Sequence, residues 1–587
     1  MAKSVRGGMV CLALLFASGG SSAALAQTAP EGWSAMPAVD RLEALTAAPK
    51  ADRPVTVQLL GYGEPGDGGG GLVRWDPDSR ERIDPCAVYA HRDGGRGRWR
   101  RVPTGAPVNV RQCGAGPRAR PAINQAAFAA ALVHGDVVVP EGTYRLGAGP
   151  VRIIGKGTRF LGQGRASVLQ FEGAQIGVAI GDGTRLGDPE TDTDGVEVGR
   201  FRITGTGETA LKVHDAQRVS LSHVSLEDDR GKERSRWRRG FHFEHTWSSR
   251  FTMLDTAGAT VTDITYFTDG HYNANYAANW HSASNFARAN LWIERAFGSG
   301  FHSVTAQGAT MGVKIKRGLG LTFTGLWTEG TARPVVFGDT AADTYADSIV
   351  IDGAHLAGPY PIHPHTSSAK ATLDFERARN IEIVSTVFVD SRDYGRLVEV
   401  TFEGGGGSGA RATAIVNRDG SVAGLVLLNR GRGYRGAPTV TLTPGRDGNG
   451  RRLSRGRGAK AVAQVTGGGV TGLTLTDPGR GYQSDPITPV PILYDIAYGV
   501  TIRAPSWTDG ITGQPGALWP FVTRTARAPG ATNGGIAIVQ DRTTFTATGG
   551  LNAHFRKADG YQHRHHLVWT GPDGVQRSEA VTPVPYR

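Results

Sequence analysis

The chain runs to 587 residues, with 84 glycines, a hydrophobic share of 39% and a formal net charge of +12 at pH 7. Its 11 Trp, 15 Tyr and 20 Phe, with that hydrophobic share, exclude a disordered chain. Glycine at about twice ordinary usage, with Val, Ile and Thr scattered between, excludes a mainly helical fold and points to many short strands joined by tight turns. The positive balance suits an acidic partner; no nucleic-acid motif accompanies it, so nucleic acid is not expected.

In chain order, residues 1–26 read as a secretory signal: Lys3 and Arg6, the apolar run from Val10 to Ala17, then Ala24-Leu25-Ala26 before Gln27. The run is too short to cross a bilayer and no later segment is apolar enough, so no membrane span is expected. Export to the periplasm or beyond is the expectation. Removing Lys3 and Arg6 lowers the net charge from +12 to +10. Cys11 leaves with the signal, and Cys86 and Cys113 then read as a disulfide, since paired cysteines in exported chains are usually oxidised.

A head module, residues 27–115, contains Gly61-Tyr62-Gly63-Glu64-Pro65-Gly66-Asp67-Gly68-Gly69-Gly70-Gly71-Leu72-Val73-Arg74-Trp75-Asp76-Pro77. Gly97-Arg98-Trp99-Arg100-Arg101-Val102 and Val108-Asn109-Val110-Arg111-Gln112-Cys113-Gly114-Ala115 follow. A helix is predicted over Ala122 to Leu132, where Ile123, Ala127, Ala130 and Ala131 keep a helical period. Gly135-Asp136-Val137-Val138-Val139-Pro140-Glu141-Gly142-Thr143-Tyr144-Arg145 then reads as a first coil. Together these segments resemble the opening of the pectate-lyase-like right-handed parallel β-helix proteins, a superfamily of polysaccharide lyases, glycoside hydrolases and phage tailspike-like proteins. The resemblance covers residues 55 to 170 and implies an all-β fold with an N-terminal capping module and a groove for a carbohydrate chain. Tailspike-like relatives are commonly trimers, which makes a homotrimer the implied assembly, although no coiled-coil segment is evident. An Asp-rich turn usual in the family is replaced by Gly116-Pro117-Arg118-Ala119-Arg120-Pro121, so no metal ligand carries over. A calcium requirement has no firm ligand cluster behind it.

Residues 116–400 are expected to form the coil. Strand-like segments recur at Val198 to Ile203, Val219 to Val224, Asn290 to Arg295, Leu321 to Leu326, Ser348 to Gly353 and Asn380 to Ser385. Repeats of this kind bury their apolar faces only by stacking. Residues 401–488 differ. Ser408-Gly409-Ala410-Arg411 is echoed by Arg457-Gly458-Ala459-Lys460, and Gly431-Arg432-Gly433-Tyr434 by Gly479-Arg480-Gly481-Tyr482. This duplicated β insertion reads as a spacer or a carbohydrate-contacting module. Residues 489–587 are expected to return to β-helix coils and end in a tail. The His-rich run Gln562-His563-Arg564-His565-His566 lacks acidic or Cys partners and reads as a solvated tail.

Reactive side chains concentrate between residues 263 and 339. In Gly312-Val313-Lys314-Ile315-Lys316-Arg317-Gly318, strict alternation sends Val313 and Ile315 inward and Lys314 and Lys316 outward, about 7 Å apart. Such a pair would neutralise a uronate carboxylate and acidify its C5 proton for β-elimination. Candidate catalytic residues are therefore Lys316, Lys314, His302, Arg317, His271 and Tyr272, the last two beside Asp269. The strand is similar to the Arg-Ile-Lys of polygalacturonases, and Gly298 to His302 to their Gly-His-Gly, but the paired aspartates of that family have no counterpart. Candidate sugar-contacting residues are Trp280, Trp292, Arg295, Trp327, Glu294 and Glu329, because rings stack on pyranose faces and charged groups meet hydroxyls. The plain alternatives are solubilising lysines, core tryptophans and glutamates that pair with neighbouring cations. The leading functional reading is a secreted lyase of an acidic, uronate-containing polysaccharide. The rivals are a glycoside hydrolase using a pair among Asp263, Asp269, Glu294, Glu329 and Asp339, and a glycan-binding surface protein without catalysis.

Overall fold

The computed structural model describes residues 37–181, 193–226, 236–257, 259–267, 275–283, 287–342, 344–357, 371–390, 398–416, 420–445, 452, 454–482 and 490–503, and beyond these the strands between 506 and 586. The expected signal segment, Asp269, His271 and Tyr272 lie outside the described residues.

The central strands carry one apolar side chain inward for each polar one outward, and stacking in register turns those apolar positions into continuous rows. On a first face, Val178, Leu211, Phe241, Ile264, Leu291, Val313, Val335 and Leu373 lie side by side in successive parallel coils. Leu221, Phe251, Ala277, Phe301, Phe323, Ile351, Ile383 and Ile502 do the same on a second face. The third face is shorter, and Trp280 and Val304 pair there. All of these are buried in one core. Phe301 stacks on Phe323 with centroids 4.7 Å apart, and Phe337 on Phe375 at 4.7 Å. The protein is an all-β parallel β-helix, as expected.

Two corners of the coil are made by residues with left-handed backbone. Arg218, Ser248, Gly298, Gly320, Ser348, Asn380 and Gly499 form one column, with φ between 45° and 67°. His223, Met253, Asn279, Ser303, Gly325, Gly353 and Ser385 form the other, with φ between 51° and 66°. The same corner accepts glycine in some coils and a side chain in others, because the side chains placed there are exposed or half-exposed. A side chain at such a φ costs about 1–2 kcal/mol relative to the right-handed region.

The head is a separate five-stranded sheet with its own core, in which Trp75 and Trp99 meet at 5.4 Å. Its glycine run is structural. The Asp67 carboxylate accepts backbone N–H groups from Tyr62, Gly63, Glu64 and Gly69 at 2.7–3.1 Å. Burial would raise that carboxyl, but the four donors outweigh it and hold it below its ordinary range. A Cβ on Gly61 would sit 1.7 Å from the Glu64 carbonyl, so the turn closes only with glycine there. Cys86 and Cys113 form a disulfide between this sheet and the first coil. The helix Pro121–Val133 then caps the coil, with Phe128 packed edge-on against Tyr144 at 5.5 Å.

Between the third-face strand Val387–Asp390 and the first-face strand Val490–Arg503, the chain builds a second small body. Its hairpins Ser408–Val416/Val422–Arg432 and Arg457–Thr466/Gly469–Arg480 are the two copies of the duplication. The copies lock reciprocally: Tyr434 N donates to Gly468 O and Tyr482 N to Gly420 O, both at 3.0 Å. The expected return to coils is brief. Gly534–Gln540 still pairs parallel to Val490–Arg503, but Thr543–Gly549, His565–Thr570 and Gln576–Val581 continue as an antiparallel meander.

Because Met253 occupies a corner where other coils use glycine, and its side chain is 47% exposed, Met253→Gly is expected to raise stability by up to about 1 kcal/mol. Thermal unfolding checks this, and a lowered midpoint would refute the corner argument.

Candidate functional site

Outward residues on one face come from different coils, so a site here is assembled by register. On the first face Lys314 lies beside Trp292 and Val336, and Val336 lies beside Asp374. Lys316 Nζ donates to Glu294 Oε1 at 2.5 Å and lies 3.9 Å from Asp339 Oδ2. Trp292 Nε1 donates to the other Glu294 oxygen at 2.7 Å, and the Arg288 guanidinium sits 4.5 Å from the Trp292 ring. Asp339 is held by its own turn, where Oδ1 accepts the backbone N–H of Ala341 at 2.9 Å and of Ala342 at 3.3 Å. Two carboxylates on separate coils thus share one half-exposed ammonium.

The expected twin-lysine platform is not formed. Lys314 is 4% exposed and donates to Glu376 Oε2 at 2.9 Å, while Arg333 binds both Asp374 and Glu376. Outward from the coil is therefore not outward into solvent, because acidic residues 60 positions later close over Lys314 (its partner Glu376 is 62 residues away). Burial pulls the Lys314 ammonium below its ordinary range despite Glu376. Burial would raise the Glu376 carboxyl, but Arg333 and Lys314 outweigh it and hold it at about 2.

The other candidates scatter over the three faces. Arg295 is half-buried and Arg317 exposed, both near the first face. His302 belongs to the second face and stacks on Tyr276 at 4.9 Å. Trp280 is 1% exposed, packs against Phe301 and donates Nε1 to Phe251 O at 2.9 Å, so it is a core residue and not a sugar platform. Asp263 is wholly buried, accepting from Ser282 at 2.5 Å and Asn290 at 3.1 Å, which removes it as a substrate-facing carboxylate. Trp327 and Glu329 lie on the third face, where Trp327 is 42% exposed and stacks on His355 at 3.7 Å. There Glu329 accepts from Gln307 at 2.9 Å, Gln307 lies 3.3 Å from His281, and His281 lies 2.8 Å from Asp255. Burial holds the His355 imidazole below its ordinary range despite the nearby Glu329.

A cluster not anticipated from the sequence lies two coils toward the head on the first face. Lys212 Nζ sits 2.6 Å from Glu244 Oε2, His242 Nε2 3.4 Å and His214 Nε2 3.6 Å from the same oxygen. Buried Asp215 bridges His214 at 3.0 Å and His245 at 2.8 Å. The His242 contact and Lys212 hold the Glu244 carboxyl well below its usual range, against burial, while burial and Lys212 hold the His214 imidazole low. The signal was present in Lys212-Val213-His214-Asp215 and His242-Phe243-Glu244-His245, two polar–apolar–polar strands whose pairing only register reveals. His214, Glu244 and His245 bring donor atoms within 4.8 Å of one another, but Lys212 already occupies Glu244. A second grouping, Asp84, Cys86 and His134, is no metal centre, because Cys86 is oxidised.

No family model and no curated protein matches the chain. Among solved structures it is similar to the gp42 tailspike of Acinetobacter phage vb_AbaP_AS12, at 10% identity over 75% of this chain and 94% of that one, TM-score 0.40. It is also similar to the enzymatically active domain of tailspike protein 2 of bacteriophage CBA120, at 11% identity over 92% and 85%, TM-score 0.35. A third is WceF of Pantoea stewartii, a glycan biofilm modifying enzyme with a tailspike-like parallel β-helix fold, at 10% identity over 94% and 80%, TM-score 0.40. At these values no residue role is transferred from them.

The Lys314–Arg333–Asp374–Glu376 cluster has a pH signature. Glu376 has a folded-state value of about 2, below the roughly 4.3 of an unfolded glutamate, so its contribution is present above that unfolded value and lost as pH falls through about 2. Unfolding midpoints followed from pH 5 downward are expected to fall more steeply for the native chain than for Glu376→Gln. Arg333→Met, which strands two buried carboxylates, is expected to cost about 3–5 kcal/mol at neutral pH.

Proposed function

We propose that this chain is an exported enzyme that cleaves a polysaccharide by hydrolysis, with Glu294 and Asp339 as its carboxylate pair. The observation that carries the reading is the Lys316 ammonium held between those two groups on the coil's outer face. Elimination needs positive charge left over for a uronate carboxylate. Here Lys314, Lys316 and Arg333 are all matched against Glu294, Asp339, Asp374 and Glu376, so none of these three cations is left over. Glycoside hydrolysis needs two carboxylates flanking one bond, and Glu294 and Asp339, gathered by one ammonium, are candidates for that pair. Glu294, fixed by Lys316 and Trp292, suits the base or nucleophile, and Asp339, across the same ammonium, is the second carboxylate of the pair. A carboxylate pair can carry out this reaction without a metal, so turnover is expected to withstand a chelator. The reading rests on this carboxylate pair and not on the distant structural likenesses.

One observation favours elimination as a second reading: Lys212, His214 and His242 converge on Glu244. The product separates the two. New reducing ends without ultraviolet absorbance are expected from a panel of bacterial exopolysaccharides, whereas an absorbing unsaturated end would assign elimination. Glu294→Gln is expected to lower kcat by about 10²–10⁴-fold with an unchanged unfolding midpoint. Lys316→Met is expected to lower turnover as well, by releasing Glu294. Near-normal turnover in a folded Glu294→Gln protein would remove this site.

A further inference from the structure

The duplicated insertion holds most of the molecule's unbalanced charge. Between residues 398 and 482 there are twelve Lys and Arg against five Asp and Glu, a net +7 within a chain of net +12. Arg430, Arg432, Arg435, Arg455, Arg457 and Arg480 are exposed, and none of them forms an ion pair among the described residues. In the second copy Arg457 stands directly opposite Arg480 across an antiparallel ladder. Like charges so placed repel. The first copy shows that the fold does not demand this, since there Ser408 stands opposite Arg432. The Gly458–Gly479 approach beside the arginine pair is matched by Gly409–Gly431 in the first copy, so backbone geometry is shared and only the charge differs.

We propose that this module docks an anionic polysaccharide, with Arg457 and Arg480 sharing a carboxylate of the polymer. Guanidinium forks match a carboxylate bidentately, and an anion between them converts a repulsive pair into two charge-assisted contacts. The module has no exposed ring on which bases could stack: Tyr434 and Tyr482 are buried and Phe402 packs on the module's core. That disfavours single-stranded nucleic acid; the choice of a polysaccharide over other polyanions rests on the function proposed above. In sequence the module lies between the strand ending at Asp390 and the one beginning at Val490, which pairs with the strand that carries Asp374 and Glu376.

Binding is measured on the full chain in the Glu294→Gln background, so the outcome does not depend on turnover. Polygalacturonate is the anionic probe, dextran the neutral one and duplex DNA the competing polyanion. Tighter binding of polygalacturonate than of dextran is expected, weakening as salt rises. Arg457→Ser with Arg480→Ser is expected to reduce polygalacturonate affinity about tenfold or more. Arg457→Ser alone, which copies the first repeat, is expected to raise the unfolding midpoint while weakening binding. Opposite signs for stability and affinity are what a merely structural arginine would not give. Unchanged affinity in the double variant, a lowered midpoint in Arg457→Ser, equal binding of dextran, or preference for DNA at the same salt would each overturn the proposal.

Discussion

Parallel register is the constraint on which everything else depends. Neighbouring strands lie about 4.8 Å apart, so each coil sets its side chains directly over those of the coil before it. Inward, this aligns apolar residues into rows no single coil could bury. Outward, it makes neighbours of residues 22 to 62 positions apart, as in Lys316 with Glu294 and Lys314 with Glu376. Chemistry on such a scaffold is a property of columns. A substitution on one coil changes the electrostatics of the coils on either side.

The charge balance of the first face follows from this. Lys314 and Lys316 are both outward positions of one coil, yet the two meet opposite fates. Arg333 on the next coil and Asp374 and Glu376 on the one after it close over Lys314 and bury it. Among the described residues Lys316 meets Glu294 and the looser Asp339, and stays half-exposed. A buried ion network of four groups is rigid and contributes no net charge to the surface. Of the two ammonium groups, the Lys316 one keeps its contact with solvent.

Much of the fold was legible in the sequence. The glycine run of the head is demanded by the turn that wraps Asp67, and the capping helix and duplicated hairpins leave local signals. Face membership was not legible, because alternation looks alike on every face. Worse, a left-handed corner residue reverses the alternation. Ala277 and Trp280 both point into the core, three positions apart, because Asn279 turns the chain between them. That is why Trp280 reads from sequence as a surface ring and is a core one. His302 and Trp327 were drawn into one site with Lys316 for the same reason, although the corners put them on other faces. The Lys212–His214–His242–Glu244 cluster went unnoticed because each half is an ordinary strand and only coil pairing joins them.

The insertion's position also has a physical reason. A coil tolerates extra chain only where strands are not continuous, and the third-to-first-face turn is such a place, since the strands before and after it pair with different neighbours. An inserted body there leaves the second-face inward row intact: Ile383 meets Ile502 although more than 100 residues separate them. Loop closure penalties grow only slowly with length, and a duplicated body whose halves lock through Tyr434 and Tyr482 supplies its own stability. Freed from the coil's packing, that body can carry an arginine pair that costs stability, something the stacked rows around Glu294 and Lys316 could not accommodate.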